Sequence, residues 1–515
     1  MDLSPELQTL IEALRGEVAD LRKEVEALRQ ENAILKQENA ELRQENALLK
    51  QENALLQQEN ALLQQENALL KQEVGDLRRR LGLDSNNSGK PPSSDGPGKK
   101  PRIAGSLRGV SGKKSGGQLG HAGGTLMRSD TPDMVEEHTA ASCAHCHAEL
   151  SVTMVTGSEK RQVFDLPVAK LEVTEHVGRI YTCGHCHGIT RAEFPGGVTS
   201  PVQYGPRVKA TSIYLSVQQL IPEERVAEVM RDLFGAGALC PASLATWSAA
   251  KAAELAPVTS HIAHLIDHAP VRHLDETGFR IGGKTQWLHT ASTSGLTSYR
   301  VSQKRGDVPT TMVNGVIVHD HFKSYFSLPG VEHALCNAHH LRELKALIDI
   351  DKEPWAKQVS SLLLTGSKLV HRAVKKTASS LPQSVILRFD ATYDSIVSAG
   401  LAFHNNLPPL CRQPGARGKP PRRPGHNLLI RLRDFKSDVL RFLSDFAVPF
   451  TNNQAEQDIR MMKVKMKISG SFRSLHGAQT FASLRSFIST ARKQNWNILH
   501  SLSADPHSLI PRISL

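Results

Sequence analysis

Leucine recurs every seventh residue from Leu7 to Leu77, and most positions between are Glu, Gln, Asn, Lys or Arg. A strict seven-residue repeat marks a helix that buries one seam against a partner. With the leucines at position d, position a reads Ile11, Val18, Val25, Asn32, Asn39, Asn46, Asn53, Asn60, Asn67, Val74 and Leu81. A buried Asn pairs best with its twin across a parallel two-stranded seam, which selects dimer and direction at a cost in stability. At position g, Glu31, Glu38, Glu45, Glu66 and Glu73 stand five residues before Lys36, Arg43, Lys50, Lys71 and Arg78 at e, the spacing of parallel interchain pairs. Residues 1–82 are therefore predicted to be a leucine-zipper coiled coil, a parallel dimer. A lone solvated helix is the alternative, but it gains nothing from the seam. The repeated Q-E-N-A-L-L unit lets chains slip by seven, and Leu48, Leu55, Leu62 and Leu69 leave apolar surface outside the seam.

The periodicity then stops. Residues 83–130 are rich in Gly, Ser, Pro and Lys and carry no apolar face, so a flexible basic arm is predicted, with Lys90, Lys99, Lys100, Arg102, Arg108, Lys113 and Lys114. It either touches DNA or serves as a passive linker. Residues 131–200 hold Cys143-x-x-Cys146 and Cys183-x-x-Cys186, joined by β-rich text including "RQVFDLP" and "LEVTEHVGRIYTC". Each C-x-x-C turn presents two thiolates to one side of a tetrahedral ion, so a small zinc ribbon is predicted, with Zn2+ on Cys143, Cys146, Cys183 and Cys186. His145, His147, His185 and His187 crowd the same turns and are alternative ligands. A redox pair is the rival, without a thioredoxin-like unit to support it. Residues 201–268 read as helices, compatible with a helix-turn-helix DNA-binding region or a plain helical spacer.

After Ala269 the period becomes two. "VRHLDETGFRI", "QWLHTAST" and "LTSYRVSQKRG" predict three antiparallel strands with turns at Gly282-Gly283 and Ser294-Gly295. "NGVIVHDHFKSY" predicts a fourth strand ending at Asp320, and "VEHALCNAHHLREL" a fifth entering a helix. That order is the order of a ribonuclease H-like α/β domain, begun by residues 269–345. Residues 346–445 are a helical insertion with the basic turn Arg412, Arg417, Lys419, Arg422 and Arg423, which either grips DNA or is merely solvated. Residues 446–515 supply a further helix and a C-terminal helical region. The chain is thus multidomain.

Composition adds a partner and a compartment. The net charge is +12 over 515 residues, and the first 80 residues are near balance, so the excess lies downstream and favours a polyanion, nucleic acid above all. There is no 18-residue apolar run and no signal-peptide order, which predicts a cytoplasmic, nucleoid-associated protein without membrane contact.

In the predicted fold Asp275 on the first strand and Asp320 at the end of the fourth lie side by side, and Glu456 on the later helix is the third carboxylate. Glu276 competes with Asp275 for the first role. Two Asp and a Glu offer hard oxygens to two Mg2+ ions, for which Mn2+ can substitute, in phosphodiester cleavage. Arg460 and Lys463 fall on the Glu456 face of the helix and suit DNA phosphates. Asn452 or Asn453 is the expected helix cap. His339 and His340 beside Cys336 suggest a second metal, or more simply a structural turn.

The segments "NSGKPPSSDG", "GGQLGHAGGTL", "HLDET", "VHDHFKSY", "CNAHHLREL", "TNNQAEQDIR" and "KISGSFRS", with the two C-x-x-C pairs, resemble the insertion sequence 66 family of DDE transposases across nearly the whole chain. The resemblance implies a bacterial transposase whose catalytic triad falls on Asp275, Asp320 and Glu456, with Lys463 as the basic partner. It also implies binding of terminal inverted repeats and target DNA, strand cleavage and strand transfer, and accessory proteins encoded by the same element. Leu119 stands where the family tends to have Pro, and Gln457 where Arg is usual. The rivals are a catalytically unused DNA-binding regulator and a cellular nuclease of the same fold.

Overall fold

The computed structural model describes residues 4–84, 87–88, 120–121, 124–308, 311, 314–411, 417 and 419–515. Lys90, Lys99, Lys100, Arg102, Arg108, Lys113, Lys114 and Arg412 lie outside the described residues.

Helix α1, Pro5–Gly82, is one unbroken helix of 78 residues, about 117 Å long at 1.5 Å per residue. None of its residues is buried, and the Leu7, Leu14, Leu21 and Leu28 row stays about half exposed. The a-position amides of Asn39, Asn46 and Asn67 donate to carbonyls four residues back on their own helix. The C-terminal end of α1 meets the rest of the chain: Arg79 pairs with Asp351, Gln72 exchanges two hydrogen bonds with the Cys411 backbone, and Gly82 packs on Ile350.

The cysteine region is thinner in strands than its text suggests. Only β1, Ile180–Thr182, and β2, Ile189–Arg191, form, as an antiparallel hairpin. Residues 161–167 have no strand partner and are almost entirely exposed.

Helices α2 (Pro206–Ile213), α3 (Glu223–Phe234), α4 (Pro241–Glu254) and α5 (Ala256–Asp267) precede the main sheet. Gly235, at φ 73°, turns the chain between α3 and α4, a left-handed conformation that glycine adopts without strain. The sheet comprises β3 (Val271–Ile281), β4 (Lys284–Ser292), β5 (Thr297–Ser302), β6 (Val316–His319) and β7 (Glu332–Leu335), in the order β5-β4-β3-β6-β7. The first three strands pair antiparallel with one another, whereas β6 runs parallel to both β3 and β7. Gly282 and Gly283, both at positive φ, form the two-residue turn that the twist of a hairpin favours.

Helices α6 (Asn337–Ala346), α7 (Pro354–Lys375), α8 (Gln383–Asn405), α9 (Pro424–Asp434) and α10 (Lys436–Leu440) follow, then α11 (Asn453–Ser469), α12 (Leu475–Lys493), α13 (Ile498–Ser503) and α14 (Pro506–Leu509). One apolar core joins Ile213, Leu255 and Ile262 to Leu274, Leu288, Met462, Phe487 and Leu509. Residues before and after 268 therefore share an interior, because the apolar faces of α2, α4 and α5 close against the sheet and α12. A second core, with Leu344, Trp355, Leu363, Tyr393, Leu428 and Leu443, is built by α6 and the helices inserted after it. Edge strand β5 is covered by α12, whose Thr490 and Ser486 hydroxyls accept from the backbone N–H groups of Thr297 and Tyr299. Among the described residues no helix is long and apolar enough to cross a membrane.

Candidate functional site

Parallel pairing of β3 with β6 puts His273 opposite Val318. Asp275 follows two residues later on β3, and Asp320 directly follows the last residue of β6. The Asp275 carboxylate accepts from the N–H of Glu276, and that of Asp320 from the N–H of Phe322, at 2.9 and 2.8 Å. Glu456 sits in the first turn of α11. Burial pushes the Asp275 carboxyl well above its ordinary range, and the negative charges of Glu276, Asp320 and Glu456 push it further. Three elements distant in sequence thus bring Asp275, Asp320 and Glu456 close enough for their charges to act on Asp275.

Glu276 occupies different surroundings. Alternation along β3 turns it to the other face, where its side chain is 2% exposed. It accepts from Arg305 Nε and Nη2, at 2.9 and 2.7 Å, and from the Tyr325 hydroxyl. Burial raises its pKa, the Tyr325 and Arg305 hydrogen bonds pull it back, and the charge of Asp320 raises it as well. Asp458 is likewise engaged elsewhere: Lys493 donates to it at 2.7 Å and Gln454 at 3.1 Å.

Asn452 holds the N-terminal position of α11, yet its side chain makes no cap hydrogen bond. Instead Nδ2 donates to the Leu274 carbonyl at 2.7 Å, and Oδ1 accepts from His273 Nδ1 at 2.8 Å. Its backbone N–H donates to Cys336 Sγ at 3.1 Å. One residue therefore ties α11 to the strand of Asp275 and to the end of β7.

Around Glu456 stand three side chains from the turn into α6. Cys336 Sγ, His339 Nδ1 and Arg342 Nη2 lie 3.9, 3.8 and 3.6 Å from Glu456 Oε1. Burial raises the Cys336 thiol to about 11. Burial, then the Arg342 charge, lowers the pKa of His339. His340 turns away instead, fully buried against Asn337 and His321. The C-N-A-H turn directly after a strand in line with Asp320 was the available signal. Spacing alone does not reveal that the turn faces a helix more than a hundred residues later. Arg460 and Lys463 are exposed on α11, and Lys463 Nζ donates to the Gly278 carbonyl at 3.1 Å.

Both C-x-x-C turns have the same geometry. The N–H of the first Cys donates to the carbonyl five residues on, at 2.8 Å for Cys143 and 2.9 Å for Cys183, and its own carbonyl accepts from His147 or His187. Those two histidines take φ 59° and 57°. Hydrogen bonds from His145 and Cys146 backbone groups hold the Cys143 thiol below its ordinary range, and those from Cys186 and His185 do the same for Cys183. Among the described residues, the one group of three or more metal-binding side chains with ligand atoms within 4.8 Å is Cys336, His339 and Glu456.

Comparison with protein families now defines the class. The model described as "Transposase IS66 family" matches residues 201–480, from α2 into α12, and "zinc-finger binding domain of transposase IS66" matches 140–187, which includes both cysteine turns. The chain is a transposase with a zinc-finger domain, and it belongs to the IS66 family. A family of unknown function matches residues 2–126. No curated protein matches the chain.

Proposed function

We propose that this transposase cuts and joins DNA at Asp275, Asp320 and Glu456, carried on a ribonuclease H-like sheet. The observation behind the proposal is the convergence of three carboxylates from β3, the end of β6 and α11, two of which raise the pKa of the third. The strand order β5-β4-β3-β6-β7 supports the fold assignment, and the engagement of Glu276 with Arg305 and Tyr325 favours Asp275 as the first carboxylate.

Two Asp and one Glu are hard oxygen donors whose mutual repulsion suits a divalent cation. When bound there, two Mg2+ or Mn2+ ions activate the attacking oxygen and stabilise the leaving one. The sheet fixes Asp275 and Asp320 relative to each other, and Asn452 fixes the start of α11 and hence Glu456. Lys463 and Arg460 hold DNA phosphates alongside. Cys143, Cys146, Cys183 and Cys186 bind one structural Zn2+ that draws the two similar turns together. The exposed leucine row of α1 pairs with a second copy as a parallel coiled coil, joining two catalytic units for two element ends. DNA at the terminal repeats and the target is the substrate.

The test is cleavage of labelled element-end DNA with Mg2+ or Mn2+, together with any accessory proteins the element encodes. Asp275→Asn, Asp320→Asn and Glu456→Gln each abolish cleavage and keep DNA binding. Lys463→Ala weakens binding and lowers the salt slope by about one unit. Wild-type cleavage by any of the three carboxylate variants overturns the assignment.

A further inference from the structure

We propose that His339 is a nitrogen ligand of the metal site, so that the centre takes a first-row transition-metal cation on mixed nitrogen and oxygen donors. The proposal rests on the assignment of Asp275, Asp320 and Glu456 as a divalent-cation site. Its basis is the position of one atom. His339 Nδ1 is buried with no hydrogen-bond partner and lies 3.8 Å from Glu456 Oε1. Two donors each about 2.1 Å from one ion are at most about 4.2 Å apart, so this pair reaches a shared ion without backbone movement. Together with Cys336 and Glu456, His339 forms a group of metal-binding side chains whose ligand atoms lie within 4.8 Å of one another, and the charge of Asp320 also acts on the imidazole.

The neighbours narrow the donor set. Cys336 Sγ falls within the same group, but the side chain is buried and its sulfur already accepts the Asn452 N–H. It positions α11 and stays a thiol. Arg342 approaches the same Glu456 oxygen but has no lone pair to offer, so it balances carboxylate charge. An imidazole donor favours Mn2+ or Co2+ over Mg2+, which prefers oxygen alone.

Full-length, zinc-loaded protein is titrated with Mn2+ and studied by pulsed electron paramagnetic resonance, which detects a coordinated histidine nitrogen directly. The expected result is nitrogen coupling in the wild type that His339→Gln removes, with Mn2+ affinity falling about tenfold or more and Mg2+ affinity changing less. Bound Mn2+ that is lost in Asp275→Asn yet shows no nitrogen coupling overturns the role of His339 alone, as does coupling that survives His339→Gln. Mn2+ binding that ignores both Asp275→Asn and Asp320→Asn overturns the carboxylate site itself. A wild-type spectrum of bound Mn2+ without nitrogen coupling overturns the proposal even if a variant folds poorly.

Discussion

Asn452 is 2% exposed, and a shorter side chain there strands two buried partners, the Leu274 carbonyl and His273 Nδ1. Leaving such groups unsatisfied costs roughly 1–3 kcal/mol. Asn452→Ala is therefore expected to lower unfolding stability by about that amount and to slow cleavage beyond what the loss of folded protein explains, because Glu456 begins its helical turn from this residue. Denaturant melts read beside cleavage rates check it, and wild-type values in both contradict the anchoring role. The sequence marks this Asn only as a helix cap, since cap propensity is local. Its actual partners lie nearly 180 residues earlier, where no spacing rule reaches. The contest between Asp275 and Glu276 was likewise open in the sequence, because adjacent carboxylates look alike until the strand's faces have neighbours.

The elements that were most legible are those whose pattern reports burial. Strand β3 coincides with the segment "VRHLDETGFRI", and the double-glycine turn falls where the hairpin needs it. The text from Arg161 to Pro167 belongs to a β-rich stretch and is not a strand, since β-forming residues make a strand only where a neighbour accepts their hydrogen bonds. The cysteine turns were legible one by one, and each is locally formed. What brings them together is not local. If one Zn2+ does so, purified protein contains about one zinc per chain, and Cys183→Ser removes it and exposes residues 140–187 to protease. Full zinc content in that variant, measured by elemental analysis, contradicts the four-thiolate site.

At the scale of the whole molecule, the helical rod is attached through its last turns, by Arg79 to Asp351 and Gln72 to Cys411. Between that joint and the free end, the Q-E-N-A-L-L heptads are nearly interchangeable. Removing one shortens the rod by about 10.5 Å while turning its far part by only about 20° relative to the joint. The leucine seam then stays continuous. Removing four residues turns it by about 40° and breaks the seam. A heptad deletion is therefore expected to keep the oligomeric state and a single thermal transition. A four-residue deletion splits the melt or shifts the sedimentation coefficient toward monomer, and identical behaviour of the two deletions refutes seam pairing. The repeat is in this sense a ruler graduated in whole heptads. The distance from the joint to the N-terminal end of the helix lengthens or shortens by whole heptads while the joint itself is left as it is.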